Sequence, residues 1–268
     1  MMRGRRLASI GVGAAVLVYA AYAMLLVSAH RALVYPFHSQ STLDLPGFAR
    51  AEVSGGAVPV VAWVHDAGAG APVVVYFMGN VGALPAFEEM LSHHAGAGRS
   101  VVAMGYRGGG GVPGAPSEET LKADALVLVD GLQQVLPEHG PIVLHGYSMG
   151  TGLATFAASE RDVSGVVLEA PYARLCEIMA RQAYVPACWI PGVDHWRSID
   201  AARRVEEPTL VVHGTLDSVI PYAHGQRMAQ ALPNGELVPV PLGGHDILMQ
   251  RPGYLEAIDS FFDRVAKR

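Results

Sequence analysis

A serine between two glycines is the first feature of this sequence that could do chemistry. Ser148 is the central residue of the pentapeptide GYSMG (146–150), which follows an apolar, β-branched run beginning at Pro141 and precedes residues typical of a helix. This order predicts a strand, a sharp turn and a helix, with the serine held on a strained backbone so that its hydroxyl projects beyond the sheet. A hydroxyl in that position is placed to act as a nucleophile.

Two residues further along the chain could activate this serine. A serine hydroxyl is a poor nucleophile at neutral pH, so it needs a base to accept its proton and an acidic group to hold that base in the correct tautomer. Asp217 and His245 follow Ser148 in that order, and each of the three follows a predicted strand. Because the carboxyl ends of parallel strands share one edge of a sheet, we expect the three to meet there. The sequence predicts Ser148 as nucleophile, His245 as general base and then acid, and Asp217 as the partner that orients it.

The other groups that such a reaction needs can also be assigned. Glu169 ends a predicted strand as well, and it is the alternative to Asp217 as the acid. The negative charge of a tetrahedral intermediate must be met by backbone N–H donors, one from the residue after the nucleophile and one from the loop after the third strand. These positions are Met149 and Asn80.

The remaining histidines do not suggest a metal site. His145 and His213 lie inside predicted strands, where they are core residues or support the site from behind. The adjacent His93 and His94 would point in different directions on a helix, and we interpret them as its solvated end. None of them forms a metal triad, so we predict no metal.

Nucleic acid and nucleotide partners are disfavoured by charge and by motif context. The net charge is −5, and no cationic block occurs beyond the first residues, so the sequence lacks the electrostatic pattern of a nucleic-acid binder. A G-x-G-x-x-G pattern occurs at 109–114, but prolines delay the following helix until about Ser117, its predicted N-cap. We therefore interpret 107–114 as a flexible loop near the site and predict no nucleotide cofactor.

Strands and helices alternate in the elements that must position these residues. An antiparallel hairpin is predicted at 48–53 and 58–65, at the edge of a sheet. Further strands are predicted at 72–78, 100–106, from 141 to the serine turn, and at 163–170, 208–214 and 236–242, with helices between them. This alternation predicts one α/β domain with a mostly parallel sheet of about eight strands, covered by helices on both faces.

The segment 172–204 interrupts this alternation and predicts a small helical cap over the strand ends. Its Met, Tyr and Trp side chains either pack onto the domain or line an apolar pocket, and both interpretations stay open. Cys176 and Cys188 lie in the same segment and are the only cysteines of the chain, which excludes a disulfide framework or a metal cluster. They could form one bridge in an oxidising compartment or remain two buried thiols.

The first 30 residues predict a membrane anchor. Arginines at positions 3, 5 and 6 precede an uncharged apolar run over 7–27, which as a helix would span roughly 30 Å, enough to cross a bilayer. A signal peptide cleaved after Ser28-Ala29 is the alternative, and it would give a secreted protein. We predict a retained single-pass anchor over 1–30, with a domain over 31–268 on the periplasmic or extracellular side.

Taken together, these motifs resemble the α/β-hydrolase superfamily, specifically its membrane-anchored α/β-hydrolase-domain proteins and their prolyl-oligopeptidase-like relatives. The stretches that carry the resemblance are YFMGNVG, HGYSMGTG, VLEAPYARL, VVHGTLDSVIP and GGHD, and it covers most of 33–262. It implies an α/β-hydrolase fold and a triad of Ser148, Asp217 and His245. One departure is Met78, which stands where the family loop usually has a histidine in His-Gly-Asn.

The resemblance implies hydrolysis of carboxylic esters or thioesters, with peptides cleaved by some members. An apolar cap on a domain tethered at a bilayer favours small-molecule acyl esters near the membrane, since each buried CH₂ adds about 0.8 kcal/mol of transfer free energy. Two alternatives remain open. One is a serine peptidase of the prolyl-oligopeptidase-like type, and the other is a non-catalytic hydrolase-like binding module.

Overall fold

One mixed sheet organises the domain. The computed structural model of the chain describes residues 2–37, 45–246 and 248–266. Within these residues the sheet has eight strands: β1 (Ala49–Val53), β2 (Val60–His65), β3 (Val73–Phe77), β4 (Ser100–Met104), β5 (Ile142–Tyr147), β6 (Gly165–Glu169), β7 (Thr209–Gly214) and β8 (Gly235–Val240). Their order is β1-β2-β4-β3-β5-β6-β7-β8, with β1–β2 and β2–β4 antiparallel and every later pair parallel. The predicted mostly parallel sheet is confirmed.

The central strands are apolar because both of their faces are covered. Every residue of β3, β4, β6 and β7 is buried. In β3, Val75 pairs with Val102 of β4 on one side and with Leu144 of β5 on the other. Continuous β-branched runs of this kind occur where a parallel sheet is sandwiched between helices. Because β5, β6, β7 and β8 pair in parallel, their carboxyl ends lie at one edge of the sheet.

Eight α-helices lie within the described residues, and those that pack on the sheet cover both of its faces. They are α1 (Met2–Val34), α2 (Glu88–Gly96), α3 (Glu118–Asp130), α4 (Gly150–Ala158), α5 (Leu175–Ala183), α6 (Ser198–Ala202), α7 (Tyr222–Ala231) and α8 (Tyr254–Val265). Successive residues of a strand point to opposite faces. In β5, His145 contacts His94 of α2, whereas its neighbour Gly146 lies against the first turn of α4. Helices α2 and α4 therefore lie on opposite faces of the sheet.

The glycine-rich segment before α3 is a loop, as the sequence predicted. The helix begins only at Glu118, where the Ser117 side chain accepts a hydrogen bond from the Thr120 N–H at 3.1 Å and forms a capping box. In the loop itself, Gly109 packs against Phe37 and the carbonyl of Gly82. The expected N-cap is confirmed, and no helix starts at the glycines to meet a phosphate group.

The expectation of a solvated helix end at His93 and His94 is wrong for His94. Its ring is fully buried, with Nε2 at 2.9 Å from Nδ1 of His145 and Nδ1 at 3.0 Å from the Arg99 guanidinium. His93 lies on the outer side, 3.0 Å from Asp259 of α8. The helical turn separates the two side chains as expected, but α2 packs its last turn onto the sheet, so one of them faces the core.

Helix α1 is longer than the predicted anchor and is attached to the domain. Its stretch Ile10–Val34 contains an 18-residue window of mean hydropathy 2.2 that is not buried, so by length and composition it could cross a membrane. The anchor was predicted over 1–30, but the helix continues to Val34. His30 is buried and accepts the Asp194 N–H at 3.3 Å.

The predicted cap contains α5, a 3₁₀ turn at Ala187–Trp189 and α6. Cys176 and Cys188 form a disulfide with Cα atoms 4.9 Å apart, which settles the alternative that the sequence left open. The aromatic side chains divide between two environments: Trp196 is buried and donates its indole N–H to the Tyr35 hydroxyl at 2.9 Å, whereas Tyr184 and Trp189 are 83% and 87% exposed. The cap is therefore hydrogen-bonded to the domain at Trp196, whereas the aromatic side chains at its other end, Tyr184 and Trp189, are exposed.

Candidate active site

The turn after β5 is built by the close approach of strand and helix. A Cβ at Gly150 would overlap the carbonyl oxygen of Phe77, and a Cβ at Gly146 would overlap the backbone of Gly150. Ser148 adopts a φ of 51°, a left-handed conformation that is strained for a residue with a side chain. Its N–H donates to the Glu169 carbonyl at 2.8 Å, which holds the turn against β6.

The structure brings Ser148, His245 and Asp217 into one hydrogen-bonded chain. His245 Nε2 lies 2.9 Å from Ser148 Oγ, and His245 Nδ1 lies 2.7 Å from Asp217 Oδ2. The three residues follow β5, β8 and β7, which end at the same edge of the sheet. These distances allow a proton to move from the serine to the imidazole while the carboxylate holds the imidazole by its other nitrogen.

The environment of Asp217 keeps its carboxyl group ionised. Its Oδ1 accepts the backbone N–H groups of Val219 at 2.9 Å and Ile220 at 2.8 Å. Burial alone would raise the pKa of Asp217, but hydrogen bonding from His213 and His245 and from the Ile220 N–H outweighs it and holds that pKa well below its ordinary value. A carboxylate that stays charged can stabilise an imidazolium at its side.

His213 supports the aspartate from behind. It is fully buried in β7, with Nε2 at 2.8 Å from the Ile220 carbonyl and 3.4 Å from Asp217 Oδ2. It thereby fixes the loop that presents the carboxylate.

Glu169, the alternative acid, lies in a different cluster. Its carboxylate contacts His145 Nε2 and accepts the Tyr254 hydroxyl, and His145 in turn contacts His94. The hydrogen bond to His245 is made by Asp217 instead. The two candidate acids are thus engaged by different histidines.

Tyr147 is a residue of the site that sequence reasoning missed. Its hydroxyl lies 3.0 Å from the His245 carbonyl and 3.2 Å from Asp246 Oδ1, and its ring packs beside the His245 ring with centroids 5.5 Å apart. Burial and the Asp246 carboxylate raise the pKa of Tyr147 well above its ordinary value, so the hydroxyl keeps its proton. A residue at a variable position of G-x-S-x-G carries no sequence signal for this contact, which joins positions 98 residues apart.

Met149 and Asn80 both line the cavity that contains Ser148. Neither backbone N–H donates to another group in the described part of the chain, so both are available to an oxyanion. The loop that carries Asn80 is held by Met78, which is buried and whose carbonyl accepts the Tyr106 hydroxyl at 2.7 Å. The methionine that replaces the family histidine is therefore part of the core and leaves the backbone of the loop to supply the donor.

A cavity of about 380 Å³ leads to the serine. This size is within the range of small-molecule sites, which is about 300–1,000 Å³. Its apolar walls come from both the cap and the N-terminal helix: Leu26, Val27, Leu33 and Val34 of α1, and Leu175, Ile178 and Met179 of α5. Of the open alternatives for the cap, Met179 lines this pocket, whereas Trp196 packs onto the domain.

A second cavity of about 270 Å³ also reaches Ser148 and His245. It is lined in part by polar side chains, among them Glu89, Tyr147 and Gln250. The nucleophile therefore lies between an apolar and a more polar cavity. Within the described residues, no group of three or more His, Cys, Asp or Glu side chains could hold a metal ion.

Comparisons with known proteins identify relatives of this chain. A family model described as TAP-like protein matches residues 179–265. An uncharacterized protein of Mycobacterium tuberculosis H37Rv is 33% identical over 210 residues, which cover 75% of this chain and 73% of that protein. The human alpha/beta hydrolase domain-containing protein 17C is 31% identical over 181 residues, 65% of this chain and 53% of its own, so the chain spans about half of that relative.

Solved structures share the fold. The Pyrococcus furiosus esterase Pf2001 superimposes with a TM-score of 0.70 at 17% identity, covering 82% of this chain and 91% of that one. The acylaminoacyl peptidase of Pyrococcus horikoshii does so with a TM-score of 0.66 at 16% identity, covering 84% of this chain and 43% of that one. At these identities the likeness is one of fold alone.

Proposed function

The chain belongs to the α/β-hydrolase superfamily, and we propose that it is a serine hydrolase that cleaves carboxylic ester or thioester bonds of acyl substrates at a membrane. The observation that carries the proposal is the hydrogen-bonded chain from Ser148 Oγ through His245 to Asp217, at 2.9 and 2.7 Å. An esterase among the structural neighbours agrees with this reaction class, although it supports the fold only.

In the proposed reaction, Ser148 Oγ attacks the substrate carbonyl while His245 Nε2 accepts its proton. The N–H groups of Met149 and Asn80 stabilise the oxyanion of the tetrahedral intermediate. His245 then returns the proton to the leaving alcohol or thiol, and an acyl-enzyme remains on Ser148. A water molecule, activated by the same histidine, releases the acid. Asp217 remains ionised throughout and stabilises the imidazolium.

Labelling with a fluorophosphonate probe tests this proposal directly, because such probes react with an activated serine. We expect the wild-type protein to be labelled and Ser148→Ala to remain unlabelled. A wild-type protein that labels no better than Ser148→Ala would support the non-catalytic binding module instead. Turnover of p-nitrophenyl esters against peptide anilides then separates the esterase from the peptidase alternative, since cleavage of anilides alone would favour the peptidase.

The anchor belongs to the mature protein under this proposal, and the domain faces an oxidising compartment. Removal of residues 1–29 would take Leu26 and Val27 out of the cavity wall. A disulfide such as Cys176–Cys188 forms and persists in periplasmic or extracellular proteins and is rare in the cytosol.

Intact-mass measurement of the protein purified from membranes, with thiol alkylation before and after reduction, tests whether the anchor is retained and whether the disulfide forms. We expect a mass that includes residues 1–29 and no thiol that alkylates before reduction. A mature protein that starts near His30 would favour the secreted alternative, and two thiols that alkylate without reduction would favour a cytosolic domain.

A further inference from the structure

The end of α5 in the cap is hydrogen-bonded to the apolar part of α1 that would span the membrane. The Tyr19 hydroxyl donates to the Tyr184 carbonyl at 2.9 Å, and the Tyr22 hydroxyl donates to the Ala183 carbonyl at 3.0 Å. A helix rises about 1.5 Å per residue and a hydrocarbon core is about 30 Å thick, so an apolar run that starts after Arg6 leaves the core near residue 27. Both contacts therefore involve residues of the apolar run that would span the bilayer.

Two large aromatic side chains are exposed at this end of the cap. Tyr184 and Trp189 are 83% and 87% exposed. Tyr and Trp are the residues enriched where a protein meets the membrane interface. The two hydrogen bonds to α1 hold this end of the cap, with Tyr184 itself at one of them, against the span.

The cavity that reaches Ser148 is lined by residues of the same two helices, α1 and α5. Leu26 and Val27 of α1 and Ile178 and Met179 of α5 line it together with Ser148 and His245. Leu25, the neighbour of Leu26 on the helix, is 66% exposed and does not line the cavity. One side of α1 thus belongs to the substrate site, and the other side is free to contact lipid.

We infer that α1 and the end of α5 form an acyl-chain channel that opens into the bilayer leaflet on the domain's side. The substrates are then esters or thioesters of amphipathic lipids, whose chain slides from the leaflet between the two helices while the carbonyl reaches Ser148. This inference rests on the proposed hydrolase function and on retention of α1. The membrane helix is accordingly part of the specificity site as well as an anchor.

A pair of adjacent leucines gives a matched test. The full-length protein in phosphatidylcholine vesicles is assayed with p-nitrophenyl esters from acetate to palmitate. Wild-type kcat/KM is expected to rise about fourfold per added methylene, which corresponds to about 0.8 kcal/mol, until the channel is filled. In Leu26→Trp the bulky ring blocks the channel, so the palmitate-to-acetate ratio of kcat/KM should fall at least about tenfold. Leu25→Trp should keep the wild-type ratio.

Equal ratios in the two leucine variants would overturn the inference and leave the hydrolase proposal intact. Absence of fluorophosphonate labelling in the wild-type protein would instead remove the hydrolase proposal itself.

Where Leu26→Trp fails to fold, tryptophan fluorescence decides the question. The chain has three tryptophans, and Trp63 and Trp196 are only 4% and 1% exposed. We expect brominated phosphatidylcholine to quench the wild-type protein in vesicles, and the quenched component to disappear in Trp189→Tyr. Equal fractional quenching of the two proteins would place the cap outside the bilayer and overturn the channel.

Discussion

Replacing Ser148 with alanine is expected to reduce kcat for acyl esters by about 10⁶-fold, the scale of loss when the nucleophile of a serine triad is removed. The hydroxyl lies 2.9 Å from His245 Nε2, and the main chain is held in a left-handed turn that an alanine also has to adopt. The substitution therefore removes the attacking atom while the strand, the turn and the donors of Met149 and Asn80 stay in place. Steady-state assays with a soluble short-chain ester would measure it.

A serine at the other end of the same helix provides the control. The Ser159 hydroxyl donates to the Phe156 carbonyl at 2.8 Å, where α4 ends. Ser159→Ala makes the same chemical change outside the cavity, so its kcat should remain within about twofold of wild type, as for most surface substitutions. Comparable activity in Ser148→Ala and Ser159→Ala would exclude Ser148 as the nucleophile.

Much of the domain could be predicted from the sequence because parallel strands impose simple rules. Runs such as Val73–Phe77 are apolar because both faces of the sheet are covered, and the residues that follow parallel strands lie at one edge. The sequence predicted on this basis that Ser148, Asp217 and His245 meet, and the structure brings them together. Their catalytic roles stay predictions until the variants are measured.

Contacts between distant segments could not be predicted in this way. His94 is polar and lies in the last turn of a helix, so nothing local distinguishes it from a solvated residue, yet His145 and Arg99 meet it in the core. Tyr147 reaches the histidine loop across 98 positions. Such contacts depend on how elements pack, whereas hydrophobic periodicity reports only on the element itself.

The N-terminal helix shows the same limit most clearly. Its composition predicted an anchor that ends near residue 30, because an apolar run of that length satisfies the requirements of a bilayer. Composition does not report that Leu26 and Val27 also form a wall of the cavity, since leucine and valine suit lipid and a substrate chain equally well. Dividing the chain at residue 30 into an anchor and a domain therefore assigns residues that line one cavity to two separate units.

The second large effect is expected for Asp217, the predicted acid of the triad. Asp217→Asn should reduce kcat by about 10⁴-fold. The amide can donate its NH₂ group to His245 Nδ1, which favours the tautomer with the proton on Nε2. That nitrogen can then no longer accept the proton of Ser148. The pKa of Asp217 lies well below its ordinary value of about 3.9, so the carboxylate stays ionised across an assay range of about pH 5–9. The wild-type rate should therefore show no decline caused by protonation of Asp217, and the loss in the variant should persist across that range.

Glu169→Gln is the comparison that identifies which carboxylate acts. Glu169 also follows a parallel strand, but it contacts His145 and Tyr254 in a buried cluster, so its replacement should lower stability more than rate. Pre-steady-state acylation rates of the two variants, measured at temperatures where both remain folded, separate these effects. A loss of about 10⁴-fold in Glu169→Gln with near-normal acylation in Asp217→Asn would transfer the acid role to Glu169, and His245 would then have to change its partner during the reaction.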